Sequence, residues 1–183
     1  MKRTIIGLAG PKQSGKTAAA LKLEKSGFVR HSFATPLKNM TRRLLMDFGY
    51  SFDRVDNYIN SCKELVLPEI GKSARHLMQT LGTEWGRHHI NNDLWVMAAR
   101  KSLERCEDNL IVFDDVRFEN EATMIRELGG LIIHIDRGDM VTDEHASEQG
   151  IAVHPDDAFV DNDHTLDDFL LDISIVVAGF IGR

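Results

Sequence analysis

The residues best suited to chemistry come early. Gly10-Pro11-Lys12-Gln13-Ser14-Gly15-Lys16-Thr17 fits the pattern Gly-x-x-x-x-Gly-Lys-[Ser/Thr], whose glycines let consecutive backbone N–H groups turn inward on a polyphosphate. An apolar run, Thr4 to Ala9, precedes it, and a helical run, Ala18 to Lys25, follows. A strand delivers the chain to the loop, and the helix aims its positive N-terminal end back at the same anion. Gly10, Lys12, Ser14 and Gly15 would surround the phosphates. Lys16 would reach the outer ones, and the Thr17 hydroxyl would hold Mg²⁺. The pattern points to a bound nucleoside triphosphate.

A second group lies about a hundred residues on. Leu110-Ile111-Val112-Phe113 ends in Asp114-Asp115, and a carboxylate at a strand's C-terminal end can help hold Mg²⁺. Strand alternation turns only one of the two aspartates toward the nucleotide; Asp115 is the residue chosen. Arg117, two residues further, shares its face if the strand continues. Arg137 follows the next strand. Phosphoryl transfer gathers negative charge between donor and acceptor, and guanidinium groups neutralise it. Either arginine could equally be a surface residue.

Candidate acceptor residues lie between these groups. Leu77, Leu81 and Trp85 recur every four residues and read as mainly core, while Arg75 and Gln79 share another face. An arginine for a phosphate and an amide for a base edge would suit a nucleotide, although a solvent-facing Gln79 fits the pattern as well. Phe33 could stack on a base or pack in the core. Lys38 lies one turn into a helix whose N-terminus could hold a phosphate. The eight histidines have no metal-ligand spacing, and the segment His145-Ala146-Ser147-Glu148 reads as part of a polar lid helix.

These groups need a scaffold. Strand-like and helix-like runs alternate, which predicts a parallel sheet with helices on both faces. Strands are expected near 4–8, 29–33, 110–113, 131–135 and 158–160. Helices are expected over 16–25, stopped by Gly27; from an N-cap at Thr35 to about Phe48; over 73–90 with breaks near Gly82 and Gly86; and over 93–106, 119–128 and 166–178. Residues 50–71 show little periodicity and read as an irregular excursion. The domain expected is single, covering 1–183, with an acceptor-binding helical region at about 34–106 and a lid at about 137–155.

Composition bounds the rest. At 183 residues with 43% apolar and 27% charged content, the chain is an ordinary globular one. Its net charge of −6 argues against a general nucleic-acid surface, so a polyanionic substrate must meet local cationic side chains. No apolar run reaches the ~18 residues of a membrane helix. Cys62 and Cys106 form no Cys-x-x-Cys pair and read as free thiols in a reducing cytosol. A GTP-dependent switch would need Asn-Lys-x-Asp and Asp-x-x-Gly segments, and neither occurs.

The order of His31-Ser32-Phe33-Ala34-Thr35-Pro36-Leu37-Lys38, the stretch Leu77 to Arg87, Asp93-Leu94-Trp95 and Asp115-Val116-Arg117-Phe118-Glu119-Asn120-Glu121 resembles the phage-type deoxynucleoside monophosphate kinases. The resemblance runs over nearly the whole chain. It implies a P-loop kinase fold, a three-layer α/β/α arrangement with five parallel strands and a lid. It implies ATP and Mg²⁺ as cofactors and phosphoryl transfer to a deoxynucleoside 5′-monophosphate. By that resemblance Arg75, Gln79, Trp85 and Arg87 surround the acceptor, Arg117 and Arg137 approach the phosphates, and the loop Asn162 to Thr165 touches the adenine. The host cytoplasm is the place implied for a phage-encoded chain, with no nucleic-acid polymer or membrane as partner and homodimerisation left open. The chain is short for the family and residues 50–71 fall outside the resemblance, so base preference is not implied. The other readings are a kinase of dephospho-coenzyme A or a sugar acid, and a nucleotide-binding protein without catalysis.

Overall fold

The computed structural model describes residues 3–138 and 150–182. By its internal contacts the chain divides into two compact units, residues 1–33 with 100–183, and residues 34–99. The sequence pattern suggests a single domain with an acceptor-binding helical region at about 34–106.

In the first unit, five parallel strands stand in the order β2-β5-β1-β6-β7. They are β1 Thr4–Ala9, β2 Val29–His31, β5 Leu110–Val116, β6 Leu131–Asp136 and β7 Ala158–Asp161. The three inner strands are nearly continuous apolar runs, as burial on both faces requires. One face packs Ile6, Leu8, Val112, Ile133 and Ile135 against α1 (Lys16–Lys25) and α7 (Leu166–Ile181) through Ala19, Ala20, Leu23, Phe169, Ile173 and Val177. Each large aliphatic side chain buried there contributes roughly 1.5–3 kcal/mol.

The other face receives α6 (Glu119–Glu127). Gly7 permits this close approach: a Cβ there would lie 2.7 Å from both Ile125 and Ile132. The chain leaves β1 toward β2 on one side and reaches β6 on the other. The C-terminal end of β1 is therefore the switch point where α/β sheets bind ligands. The expected three-layer α/β/α fold with five parallel strands is the one observed.

Behind β6 and β7 lies a buried ionic knot. Asp157, whose side chain is 2% exposed, accepts from Arg126 Nε at 3.1 Å and Nη2 at 2.7 Å, and from the His154 backbone N–H at 2.9 Å. His134 Nε2 lies 2.9 Å from the same carboxylate. Arg126 also binds Glu119 at 2.8 Å and the Ala152 carbonyl at 3.2 Å. Burial alone would raise the Asp157 pKa, but Arg126, His134 and the His154 N–H outweigh it and hold the carboxyl below the usual carboxylate range.

The second unit holds α2 (Thr35–Asp47), α3 (Phe52–Asn60), a short antiparallel pair β3 (Val66–Leu67) and β4 (Lys72–Ser73), α4 (Ala74–Gln79), a π-helical segment Thr80–Ile90, and the first part of α5 (Leu94–Glu104). Leu45, Tyr50, Val55, Ile59 and Leu67 form its core. Four expectations change here. Residues 50–71, expected to be irregular, carry α3 and the β3–β4 ladder. A nine-residue helix buries only Val55 and Ile59, too few to show a period.

The N-cap of α2 is Ala34, not Thr35, and Pro36 lies in the first turn. The helix expected over 73–90 is α-helical only to Gln79. Beyond it, the wider π turn moves the buried stripe to Gly82, Thr83, Gly86 and Arg87. Trp85, expected in the core, is 39% exposed. The Trp95 indole takes the inner place instead: its Nε1 donates to the Gly82 carbonyl at 2.8 Å, and a Cβ on Gly86 would lie 2.4 Å from its ring.

Candidate active site

The loop after β1 adopts the backbone its glycines predict. Gly10 sits at φ 142°, Gln13 at 65° and Gly15 at 113°, a region that costs glycine little and other residues more. A Cβ on Gly10 would lie 2.3 Å from the Ile135 carbonyl, and one on Gly15 would lie 2.6 Å from Asn162 Nδ2. Both positions thus need glycine for conformation and for space. Gly15 is the N-cap of α1, whose first turn has no acidic residue, so the positive helix end is not offset locally.

Lys16 lies back along the loop. Its Nζ donates to the Gly10 carbonyl at 2.6 Å, the Pro11 carbonyl at 2.5 Å and Ser14 Oγ at 3.5 Å. Ser14 is fully buried, whereas Thr17, in the first turn of α1, is exposed. The structure brings two distant candidates to the same loop. Arg137 Nη1 donates to the Gln13 carbonyl at 3.3 Å, and Asn162 Nδ2 donates to the Ser14 carbonyl at 2.8 Å.

The two aspartates lie at the end of β5, beside the strand that leads into the loop. The ladder slips here: Gly7 pairs with Phe113, but Ala9 pairs with Val116. This bulge breaks the simple alternation assumed from sequence. Asp114 is engaged by Arg30, whose Nε donates at 2.7 Å. Asp115 Oδ2 accepts from Ser32 Oγ at 2.6 Å, and Oδ1 accepts from the Phe33 N–H at 2.9 Å. Ser32 and Arg30 were missed because only the pairing of β2 with β5 makes them neighbours of these carboxylates.

Phe33 itself is 3% exposed and stacks on Phe113 at 4.6 Å. Its backbone serves Asp115, and its ring belongs to the core, which corrects the base-stacking role. Burial lowers the pKa of neighbouring His31, partly opposed by Asp108.

Arg117 does not share a strand face with Asp115, because β5 ends at Val116. The Arg117 and Phe118 N–H groups donate to Oε2 of buried Glu121 at 2.8 and 3.1 Å, which caps the start of α6. Of the expected lid, residues 139–149 lie outside the described residues, His145 and Glu148 among them.

The acceptor candidates are in the second unit. Lys38 is half-buried in α2. Arg75 and Gln79 lie on α4, both half-buried, with Arg75 Nε 2.6 Å from Glu64 Oε1. Arg87 is 5% exposed and its Nη1 donates to the Asn92 carbonyl at 2.9 Å, a bond internal to the fold. Trp85 lies 6.4 Å from Trp95, ring to ring.

Known proteins agree with this architecture. The family model for deoxynucleotide monophosphate kinase matches residues 44–173. A putative deoxynucleotide monophosphate kinase of Acanthamoeba polyphaga mimivirus is 32% identical over 185 residues, covering 90% of this chain and 91% of that protein. The deoxynucleoside-5′-monophosphate kinase of Escherichia phage T5 is 29% identical over 101 residues, 51% of this chain and 40% of that protein. Among solved structures, TT1252 from Thermus thermophilus aligns over 98% of both chains with a TM-score of 0.52 and 15% identity, a likeness of fold alone.

Proposed function

Because this chain belongs to the deoxynucleotide monophosphate kinase family, we propose that it transfers the γ-phosphoryl group of ATP to deoxynucleoside 5′-monophosphates, giving ADP and the deoxynucleoside diphosphate. The observation that carries the reading is the family match over 44–173, because that range excludes the phosphate-binding loop. The loop at Gly10 to Thr17 then supports it independently.

The loop residues suit a polyphosphate: two glycines where a Cβ would collide, a lysine against loop oxygens, and a helix end without acidic residues. Thr17 and Asp115 are the residues that would hold Mg²⁺, which neutralises phosphate charge when bound with the nucleotide. The acceptor phosphate is already an anionic nucleophile, so its attack needs no strong general base. The work left to the protein is positioning and neutralisation. Lys16 serves the outer phosphates, Arg137 and Arg117 meet the transferring group, and Asp115 is kept in one orientation by Ser32 and the Phe33 N–H. Arg75 and Gln79 bind the monophosphate, Gln79 reading a base edge, with Lys38, Trp85 and Arg87 around them.

The test is a panel of deoxynucleoside, ribonucleoside and base-modified monophosphates incubated with ATP and Mg²⁺. Diphosphate formed from one or more deoxynucleotides is the expected result. ATP binding without transfer to any nucleotide would overturn the reading. In the same assay, Gln79→Ala should raise KM for the monophosphate about tenfold while leaving KM for ATP nearly unchanged. Equal changes in both would remove Gln79 from the acceptor site.

A further inference from the structure

Asn162 follows β7 directly and joins two parts of the first unit. Its backbone N–H donates to the Asp136 carbonyl at 2.7 Å, extending the β6–β7 pairing. Its side-chain Nδ2 donates to the Ser14 carbonyl at 2.8 Å. The residue is thus fixed to the sheet on one side and holds the phosphate-binding loop on the other. We propose that Asn162 is a positioning residue that sets the Ser14–Gly15 peptide and so aims the Gly15 N–H at the polyphosphate, rather than a reader of the adenine. This rests on the loop being the polyphosphate site, and is independent of the acceptor.

The argument is one of peptide geometry. A trans peptide is planar, and its C=O and N–H point in opposite directions. A donor that draws the Ser14 oxygen outward therefore turns the Gly15 N–H the other way. Glycine at φ 113° has wide backbone freedom, so this peptide needs an external hold to keep one orientation. Neighbouring carbonyls are held too: Gly10 and Pro11 by Lys16, Gln13 by Arg137, and Gly15 by the Ala19 N–H at 3.0 Å. Ser14 is the loop carbonyl assigned to Asn162. The amide also lies against the outer wall of the loop, since a Cβ on Gly15 would lie 2.6 Å from Nδ2 and 3.1 Å from the Phe169 ring. An amide used in this way commits one of its N–H donors to the backbone of the loop.

Binding of ATP, GTP, CTP and inorganic tripolyphosphate, each with Mg²⁺, separates the two roles. A positioning residue acts on phosphates, so Asn162→Ala should weaken all four by a similar factor, about tenfold. Asn162→Asp, which replaces the donor with a charged acceptor facing a carbonyl, should weaken them further. A loss confined to ATP with tripolyphosphate unchanged would overturn the proposal, as would unchanged affinity for all four.

Asn162→Ser, followed by proton–nitrogen correlation spectra, gives a second readout in which the dispersion of the spectrum itself reports whether the variant is folded. The Gly15 amide should shift strongly with tripolyphosphate in the wild type and much less in the variant. Equal shifts would refute the positioning role. A wild type that binds tripolyphosphate but phosphorylates no monophosphate would refute the proposed function and leave this inference standing.

Discussion

Lys16→Ala should lower kcat by about a thousandfold while the protein stays folded. In the structure the ammonium touches three loop oxygens, at Gly10, Pro11 and Ser14. It is the one cation of the loop sequence that lies both at the helix N-terminus and against the loop backbone. As negative charge spreads over the transferring phosphoryl group, a fixed positive charge there stabilises the transition state more than bound ATP. The effect should therefore fall on kcat more than on KM for ATP. The structural loss is small, since the two short bonds released are to half-buried carbonyls and the third, to Ser14 Oγ, is long at 3.5 Å, and about 1 kcal/mol is expected. That corresponds to a drop in thermal midpoint of roughly 2–4 °C. Steady-state kinetics beside a thermal melt separate the two effects. Activity near wild type would show that the loop is not the phosphoryl-donor site.

The largest expected loss of stability comes from Asp157→Ala, about 3 kcal/mol in urea unfolding. Its carboxylate receives two guanidinium bonds, the His154 N–H and the His134 contact at 2% exposure. Removing it takes a buried anion away from Arg126, His134 and the His154 N–H, and leaves Arg126 with its bonds to Glu119 and the Ala152 carbonyl. The expectation has a pH signature. The folded-state pKa lies below the ordinary aspartate value of 3.8, so the carboxylate's contribution is complete above the unfolded value. It is lost as pH falls through the folded one. The gap in urea midpoint between wild type and Asp157→Asn should thus be constant above about pH 5 and narrow below 3.8. A gap that does not narrow in acid would mean that the charge of Asp157 contributes nothing.

The loop, the five strands and the helices on both faces were legible because each announces itself locally. A glycine pattern, an apolar run or a helix-ending glycine such as Gly27 depends on few neighbours. The irregular reading of 50–71 failed because α3 is short and buries one pair, Val55 and Ile59, too few for a helical period to show. Trp85 was misplaced for a different reason. Four-residue spacing assumes an α-helix, and the π turn changes which residues align. Arg117 was grouped with Asp115 by extending a strand that ends one residue too soon.

The sequence by itself determined the family, the phosphate-binding loop and the parallel α/β plan, since these follow from short-range patterns and from motif order along the chain. The tertiary structure alone decided which groups meet. It gave Asp115 to Ser32 and Asp114 to Arg30, because the order β2-β5-β1 sets strand ends side by side that are distant in sequence. It brought Asn162 and Arg137 to the backbone of the loop, and Asp157 to Arg126. Such pairings depend on which strands become neighbours when the sheet assembles, and a linear pattern of residue types does not record that adjacency.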